Sequence, residues 1–237
     1  MLHLPLLSAA LLLGLPAQDP APATLKVFLL AGQSNMEGQA VVDLDHEEHY
    51  NGGRGTLVRV LEDAALDTRF GHLRDAGGEW HVRDDVWVWY RTAGGELKRG
   101  GLSVGFAVYP GAHHFGPELM FGHVLGEAHD EPVLLVKAAW GGKSLARDFR
   151  PPSAGGETGP YYGRVLEEVR GALAGLDEHL PAIAGLEPEL AGLVWFQGWN
   201  DMIDEVATGE YEENLVALVG DLRRDLDAPD LPVAVSY

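Results

Sequence analysis

Four short apolar runs constrain the fold of this chain most strongly. Their sequences are LKVFLLA (Leu25–Ala31), PVLLVKAAW (Pro132–Trp140), LAGLVWFQ (Leu190–Gln197) and LPVAVSY (Leu231–Tyr237). Each is rich in β-branched residues and alternates little between apolar and polar side chains, which is typical of strands with both faces buried. We therefore predict that these runs are parallel strands of one sheet.

The segments between the runs have the apolar periodicity of helices. The segment Pro117–His129 begins with a proline, a residue that is favoured at the first position of a helix. Apolar side chains also follow the i, i+3, i+4, i+7 rule from Tyr162 to Leu176 and from Leu215 to Leu226. Thr208 is predicted as the N-cap of the last helix. Strands alternating with helices predict a three-layer α/β/α sandwich with a mainly parallel, flavodoxin-like sheet.

The region from residue 41 to residue 116 departs from this alternation and is rich in Gly, Asp, Arg and His. Its most regular piece is DDVWVWYR (Asp84–Arg91), in which Val and Tyr alternate with Trp. This pattern predicts a strand in a small hairpin. We interpret the region as a long insertion after the first strand, folded over the edge of the sheet.

The first residues, MLHLPLLSAALLLGLPAQ, resemble a targeting segment. The apolar run Leu4–Leu15 is shorter than the about 20 residues that span a bilayer, and Ala17 is a small residue suited to a cleavage point. We predict a signal peptide over residues 1–17, a spacer over 18–24, and export to the periplasm or the extracellular space. A buried N-terminal helix or a lipid-facing anchor is the alternative.

Charge and cysteine content exclude several classes of partner and site. The chain has 17 Lys and Arg against 36 Asp and Glu, a net charge of −19, which argues against nucleic acid and anionic membranes as partners. It has no cysteine, so disulfides and thiolate sites are excluded. The segment DLDHEEH (Asp43–His49) has ligand-like spacing, but we interpret it as an exposed polar segment and expect neither a metal nor another cofactor.

Three of the four runs end in small and polar residues, in the stretches GQSNM, WGGKSL and QGWND. Ligands of open parallel sheets bind outside the carboxyl ends of the strands. Ser34 offers a hydroxyl nucleophile, Gly142 allows a backbone N–H to approach a ligand, and Gln197 and Asn200 carry amides that can donate to an oxyanion. Together these groups suit acyl transfer.

In this order the three motifs resemble the SGNH hydrolases, and more closely their branch of sialate O-acetylesterase-like and plant-type carbohydrate esterases. The resemblance extends from about Lys26 to the end of the chain. It implies that Ser34 is the nucleophile and that Gly142 belongs to the oxyanion hole. The third donor stays open, because the GxND form points to Asn200 whereas the esterase branch points to Gln197.

The implied activity is that of a serine esterase that removes O-acetyl groups from a carbohydrate. A carbohydrate-binding pseudoenzyme with the same cleft is the alternative. A phosphate or nucleotide binder is disfavoured, because GQSNMEG is not a P-loop.

The resemblance also implies a DxxH motif near the C-terminus, with the histidine as base and the aspartate orienting it. The end of this sequence, at Tyr237, has no such motif. We therefore expect a fragment that lacks the last strand–helix segment, with the catalytic His and Asp beyond Tyr237. The other hypotheses are that another histidine substitutes for the missing one, or that the protein is not a hydrolase. A base is needed for hydrolysis because a serine without one is a weak nucleophile.

Other residues of the motifs and of the inserted region are expected to contact the substrate. His113 and His114 lie in PGAHHFGPE, just before a predicted helix, and Trp199 could stack on a sugar ring. The expected substrate-binding set is Gln33, His113, His114, Trp199 and Asp201.

Overall fold

The computed structural model describes residues 23–236. Its strands are β1 (Thr24–Gly32), β2 (Ala40–Val41), β3 (Val86–Arg91), β4 (Leu97–Gly101), β5 (His114–Phe115), β6 (Val133–Ala139), β7 (Glu187–Phe196) and β8 (Val233–Ser236). Six of them form one sheet in the order β4-β3-β6-β1-β7-β8, and β2 pairs with β5 in a separate ribbon. Within the large sheet only the β3–β4 pair is antiparallel. The four predicted parallel strands are confirmed as β1, β6, β7 and β8.

The helices are α1 (Ser34–Glu37), α2 (Leu57–Leu61), α3 (Ala64–Phe70), α4 (Glu118–Ala128), α5 (Pro160–Ala174), α6 (Leu176–His179), α7 (Trp199–Met202) and α8 (Glu205–Asp225). One face of the sheet packs against α5 and α8, and the other against α4. Alternate residues of β1 supply both interfaces, with Val27 and Leu29 on the first and Phe28 and Leu30 on the second. Both faces are therefore apolar, and the predicted three-layer sandwich is confirmed.

The predicted N-cap of α8 is wrong. Asp204, not Thr208, caps this helix, and its carboxylate accepts from the N–H groups of Val206 and Ala207 at 3.0 and 3.1 Å. These hydrogen bonds lower the pKa of Asp204. Thr208 lies within the first turns, where its hydroxyl donates to the carbonyl of Asp201 at 2.9 Å. The helix thus begins earlier than its apolar periodicity indicates.

The predicted hairpin within residues 41–116 is confirmed as β3 and β4. Its position differs from the expectation, because β3 pairs in parallel with β6 and is an internal strand of the large sheet. Trp89 faces the α5 side and Tyr90 the α4 side, and both are buried. Part of the region between residues 41 and 116 therefore extends the sheet instead of covering its edge.

The predicted signal peptide and most of the spacer lie outside the described residues. Among residues 23–236, no helix combines the length and the apolar character that a bilayer crossing requires.

Candidate active site

We call the stretches GQSNM, WGGKSL and QGWND, at the carboxyl ends of β1, β6 and β7, the first, second and third strand exits. The first strand exit is a tight turn that presents Ser34 at the carboxyl end of β1. A side chain at Gly32 would overlap the carbonyl oxygen of Phe196, so only glycine fits where β1 and β7 come together. The next residue, Gln33, donates its N–H to that same oxygen at 3.2 Å. Met36 is fully buried and anchors α1, whereas Ser34 is half-buried.

The side chain of Gln33 links this turn to the third strand exit. Its Nε2 donates to Asn200 Oδ1 at 3.0 Å. Its Oε1 accepts from the backbone N–H groups of Gly198 and Asn200, both at 3.3 Å, and lies 3.2 Å from Gln197 Nε2. Gln33 is only 2% exposed. It therefore lies beneath the site as a link between motifs and offers little surface to a substrate.

Asp201 and Gln197 link the third exit to the second. The carboxylate of Asp201 accepts the N–H groups of Leu145 and Ala146, each at 2.8 Å. Gln197 Nε2 donates to Asp201 Oδ2 at 2.6 Å and to the Lys143 carbonyl at 2.9 Å. Asp201 is 1% exposed, so its contacts hold the WGGKSL loop in place, and a direct contact with substrate is not available to it.

The second exit brings glycine backbone against the turn that carries Ser34. A side-chain carbon built at Gly141 would lie 3.7 Å from Cβ of Ser34 and 2.9 Å from Oε2 of Glu37. The backbone of Gly141 therefore lies against the Glu37 carboxyl group. Gly142 is exposed, with φ of +71° and open space where a Cβ would stand. All three strand exits therefore meet at one edge of the sheet.

A cleft of about 510 Å³ opens beside the Gln33–Asp201 network. Its lining comes from the first and third strand exits and from the ends of α8 and β8 nearest to them, and includes Asn35, Phe196, Trp199, Tyr211 and Val235. Trp199 is 62% exposed, so its indole ring is free to contact a ligand. Of the expected substrate-binding residues, Trp199 is the one that lines this cleft with a largely exposed side chain.

The two predicted histidines have different environments. His113 is largely exposed, and its Nδ1 lies 2.7 Å from Asp43 Oδ1. His114 is buried in β5 with its ring 4.4 Å from that of Tyr109, and burial lowers its pKa, with the charges of His113 and Lys98 acting in the same direction. Neither histidine has a hydrogen bond to the Ser34 hydroxyl within residues 23–236.

The letters D-x-x-H do occur once after Ser34, at Asp43–His46. These two side chains do not pair in the structure. Asp43 binds His113, and Nδ1 of His46 accepts the N–H groups of Glu48 and His49 at 3.2 and 3.3 Å. Over the described part of the chain, no three His, Asp or Glu side chains come together as a metal site would require.

Sequence reasoning missed a buried ionic group that contacts the turn carrying Ser34. Lys137 of β6 and Glu118 of α4 are both 0% exposed, and Lys137 Nζ lies 2.6 Å from Glu118 Oε2. Glu37 is 4% exposed, and burial raises its pKa. One signal was visible in the sequence, since Lys137 interrupts the otherwise apolar run PVLLVKAAW.

These features define an α/β protein whose polar site lies at the carboxyl edge of a parallel sheet and is assembled from three strand exits. A family model described as carbohydrate esterase, sialic acid-specific acetylesterase, matches residues 24–236. The chain belongs to this family.

Solved structures with the same fold include a protein of Arabidopsis thaliana, AT4G34215. It has a TM-score of 0.55 and 19% identity, over 90% of this chain and 73% of that one. XAC1771, described as a novel carbohydrate acetylesterase from Xanthomonas citri, has a TM-score of 0.49 and 16% identity, over 89% of this chain and 40% of that one. NanS has a TM-score of 0.48 and 16% identity, over 92% and 68%. A comparison with curated protein sequences gives no match.

Proposed function

We propose that this protein is a serine esterase that removes O-acetyl groups from a carbohydrate, with Ser34 as the nucleophile. The observation that carries the proposal is the meeting of three strand exits around Ser34, where Gly141 approaches its Cβ and Gln33 joins it to Asn200. Membership of the carbohydrate esterase family supports the same chemistry and an acetylated carbohydrate as the substrate.

The backbone N–H groups of Ser34 and Gly142, with the side-chain amide of Asn200, form the proposed oxyanion hole. Backbone N–H groups can only donate, so the atom of Gln33 that accepts them is its oxygen, and its Nε2 must face Oδ1 of Asn200. The Nδ2 hydrogens of Asn200 are therefore left for a ligand.

Gln197 is less suited to the same task. Its Nε2 carries two hydrogens, and the Lys143 carbonyl and the Asp201 carboxylate lie within 2.9 and 2.6 Å of it. The side chain is also buried at 6% exposure. These contacts support Asn200 as the third oxyanion donor and Gln197 as a residue that positions the loop.

In the proposed reaction, Ser34 Oγ bonds to the acetyl carbon while a base removes its proton, and the carbonyl oxygen becomes an oxyanion held by the three donors. The bond from the acetyl carbon to the sugar oxygen then breaks, and the sugar oxygen takes up a proton. Water attacks the acetyl-serine in the same way and releases acetate. In most such enzymes the base is a histidine oriented by a carboxylate.

A carbohydrate-binding protein without turnover is the second candidate. One observation favours it, namely that no histidine of residues 23–236 is hydrogen-bonded to Ser34. The two functions differ in acetate release, whereas both predict that an acetylated sugar binds.

The deciding experiment measures acetate release from a small acetyl ester and from acetylated sugars, using the natural gene product and its Ser34→Ala variant. Loss of activity with an unchanged circular dichroism spectrum supports the serine esterase. Ser103→Ala is the matched control, because it removes a hydroxyl from a loop outside the site. Sugar binding in the absence of any acetate release would instead favour the binding protein.

Export is part of the proposal, with a signal peptide that ends at Ala17. Mass spectrometry of protein recovered from the culture medium or the periplasm tests this point. An N-terminus at Gln18 is expected, and retention of Met1 on the cell-associated protein would contradict it.

A further inference from the structure

The Lys137–Glu118 ion pair is completely buried and contacts the turn that carries the proposed nucleophile Ser34, which we call the nucleophile turn. Lys137 lies on the α4 side of β6, where its register partners are Leu30 of β1 and Tyr90 of β3. Its Nζ lies 4.7 Å from the centre of the Tyr90 ring. The strand neighbours thus surround the lysine stem with apolar and aromatic surface.

All three N–H donors of the Lys137 ammonium group have acceptors. They are Glu118 Oε2 at 2.6 Å, the carbonyl of Glu37 at 2.8 Å and the carbonyl of Phe106 at 2.7 Å. Burial lowers the pKa of Lys137, and the charge of Glu118 opposes that effect. The ammonium group therefore has all its hydrogen bonds satisfied and joins three separate segments, which contain Glu37, Phe106 and Glu118.

Stability alone does not account for such a junction. Replacing a buried ion pair by apolar residues of similar volume is often neutral or stabilising, since both charges lose their hydration. A buried pair is instead well suited to fixing one arrangement of the segments it joins. The role of the ion pair should therefore follow from the segments that it connects.

One of the joined segments is the end of the turn that carries Ser34. The Glu37 carbonyl, which Lys137 holds, belongs to the last residue of α1. The next residue, Gly38, lies so close to Gly116 that a side chain there would meet the Gly116 Cα at 2.5 Å. Gly116 in turn donates its N–H to Glu118 Oε1 at 2.8 Å.

The side chain of the same residue, Glu37, reaches the second strand exit. The carboxyl group of Glu37 lies against the backbone of Gly141, next to the proposed oxyanion donor Gly142, since a side-chain carbon built at Gly141 would stand 2.9 Å from Glu37 Oε2. A displacement of Glu37 would therefore move both the nucleophile turn and the glycine segment that faces it.

We propose that Lys137 and Glu118 are positioning residues that fix the turn bearing Ser34 and, through Glu37, the Gly141–Gly142 segment in the geometry needed for acyl transfer. The inference rests on the proposed esterase function of Ser34. Neither side chain contacts the substrate, because both are 0% exposed.

The test compares Glu118→Gln with the double variant Lys137→Met/Glu118→Gln. In Glu118→Gln the amide oxygen can still accept from Gly116, and the amine of Lys137 keeps enough hydrogens for the Glu37 and Phe106 carbonyls even when neutral. The double variant removes the Lys137–Glu37 hydrogen bond without leaving a buried charge. Misplacement of a reacting group by about 1 Å can cost about 100-fold in rate, so we expect kcat of the double variant to fall about 10- to 100-fold.

The readouts are kcat and KM at a temperature where circular dichroism shows each variant folded, together with the rate at which a fluorophosphonate probe labels Ser34. A positioning role predicts lower kcat and slower labelling in the double variant, KM within about threefold, and near-native kcat in Glu118→Gln. A merely structural role predicts a lower melting temperature with unchanged kcat per folded molecule. That result, or an equal kcat loss in Glu118→Gln, would overturn the proposal.

Three further variants complete the test. Lys26→Met removes a lysine that pairs with Glu189 at 2.8 Å at the opposite end of β1, and it should leave kcat unchanged. If the double variant does not fold, Lys137→Gln/Glu118→Gln replaces it under the same criteria, since it returns polar atoms to the cavity. Ser34→Ala is assayed in parallel, because activity that survives it refutes the proposed function itself and not only the role of Lys137.

Discussion

Gln33 Nε2 and Asn200 Oδ1 lie 3.0 Å apart, which couples the residue before Ser34 to the proposed oxyanion donor. The residues are far apart in sequence, in the first and third strand exits. Because Gln33 is 2% exposed, this contact is shielded from water and holds the Asn200 amide in one orientation. The turn that carries Ser34 and the proposed oxyanion donor Asn200 are thus parts of one hydrogen-bonded unit.

The first prediction separates Asn200 from Gln197. Asn200→Asp keeps the shape of the side chain but replaces the donor by an acceptor, and we expect kcat to fall about 100- to 1,000-fold, as for loss of one oxyanion donor. Gln197→Ala should act mainly on stability. Steady-state kinetics on a small acetyl ester, with thermal unfolding of each variant, measures both effects, and the reverse pattern would make Gln197 the donor.

The second prediction concerns Asp201. Its buried carboxylate accepts two backbone N–H groups at 2.8 Å, and charged hydrogen bonds contribute about 1.5–3 kcal/mol each. Asp201→Asn places an amide N–H against one of these donors, so we expect about 2–3 kcal/mol lower free energy of unfolding. Urea unfolding measures this loss. Asp230→Asn, on the exposed loop before β8, is the control and should change little.

Most of the fold could be predicted from the sequence because the runs that became β1, β6, β7 and β8 are apolar on both faces. The position of β3 could not, since its pairing with β6 depends on residues more than 40 positions away. Thr208 was misassigned because apolar periodicity does not reveal the first polar turn of α8, where Asp204 provides the cap.

The candidate site, too, could be predicted only in part from the sequence. Strand exits are local features of sequence, so Ser34, Gly142 and Asn200 could be proposed from it. Whether a polar side chain is buried depends on the packing of distant elements, and this decided the positions of Gln33 and Asp201. The contact of Lys137 with the Glu37 carbonyl spans 100 residues and leaves only one trace in the sequence, a lysine within an apolar run.

The third prediction tests Trp199 as a surface for the sugar. Aromatic contacts contribute about 0.5–1.5 kcal/mol beyond burial, so Trp199→Ala should raise KM for an acetylated sugar about 2- to 10-fold. Since the ring is 62% exposed, kcat and stability should remain near those of the natural protein. A small acetyl ester without a sugar serves as the control substrate. An equal KM increase for both substrates would show that the ring does not act on the sugar.

The fourth prediction asks whether His113 is the base. Its hydrogen bond to Asp43 resembles the orientation of a catalytic imidazole, but both side chains are about half exposed and neither binds Ser34. We expect His113→Ala to lower kcat by less than about tenfold, well short of the loss when a triad member is removed. Kinetics of His113→Ala beside His114→Ala measures this. A loss of about 1,000-fold or more in His113→Ala would identify it as the base.

The fifth prediction concerns stability in acid and depends on His123 of α4. This residue is 4% exposed, and its Nδ1 lies 3.4 Å from Nη1 of Arg83. Its ring is also 4.8 Å from that of His72 and 6.1 Å from that of His81. Burial, followed by the charges of these neighbours, lowers the pKa of His123 to about 4, while Asp85 acts in the opposite direction.

The direction in which stability changes with pH follows from the number of protons that His123 binds in the folded and unfolded states. Between the ordinary pKa of 6.5 and the folded value of about 4, the unfolded chain binds a proton at His123 that the folded protein does not, so stability decreases as pH falls through this window. The full effect is about 3 kcal/mol, from about 1.4 kcal/mol per pKa unit. His123→Leu removes this titration, so its unfolding free energy in urea should decline less steeply from about pH 7 to about pH 4. Identical pH profiles for the variant and the natural protein would show that His123 does not control acid stability.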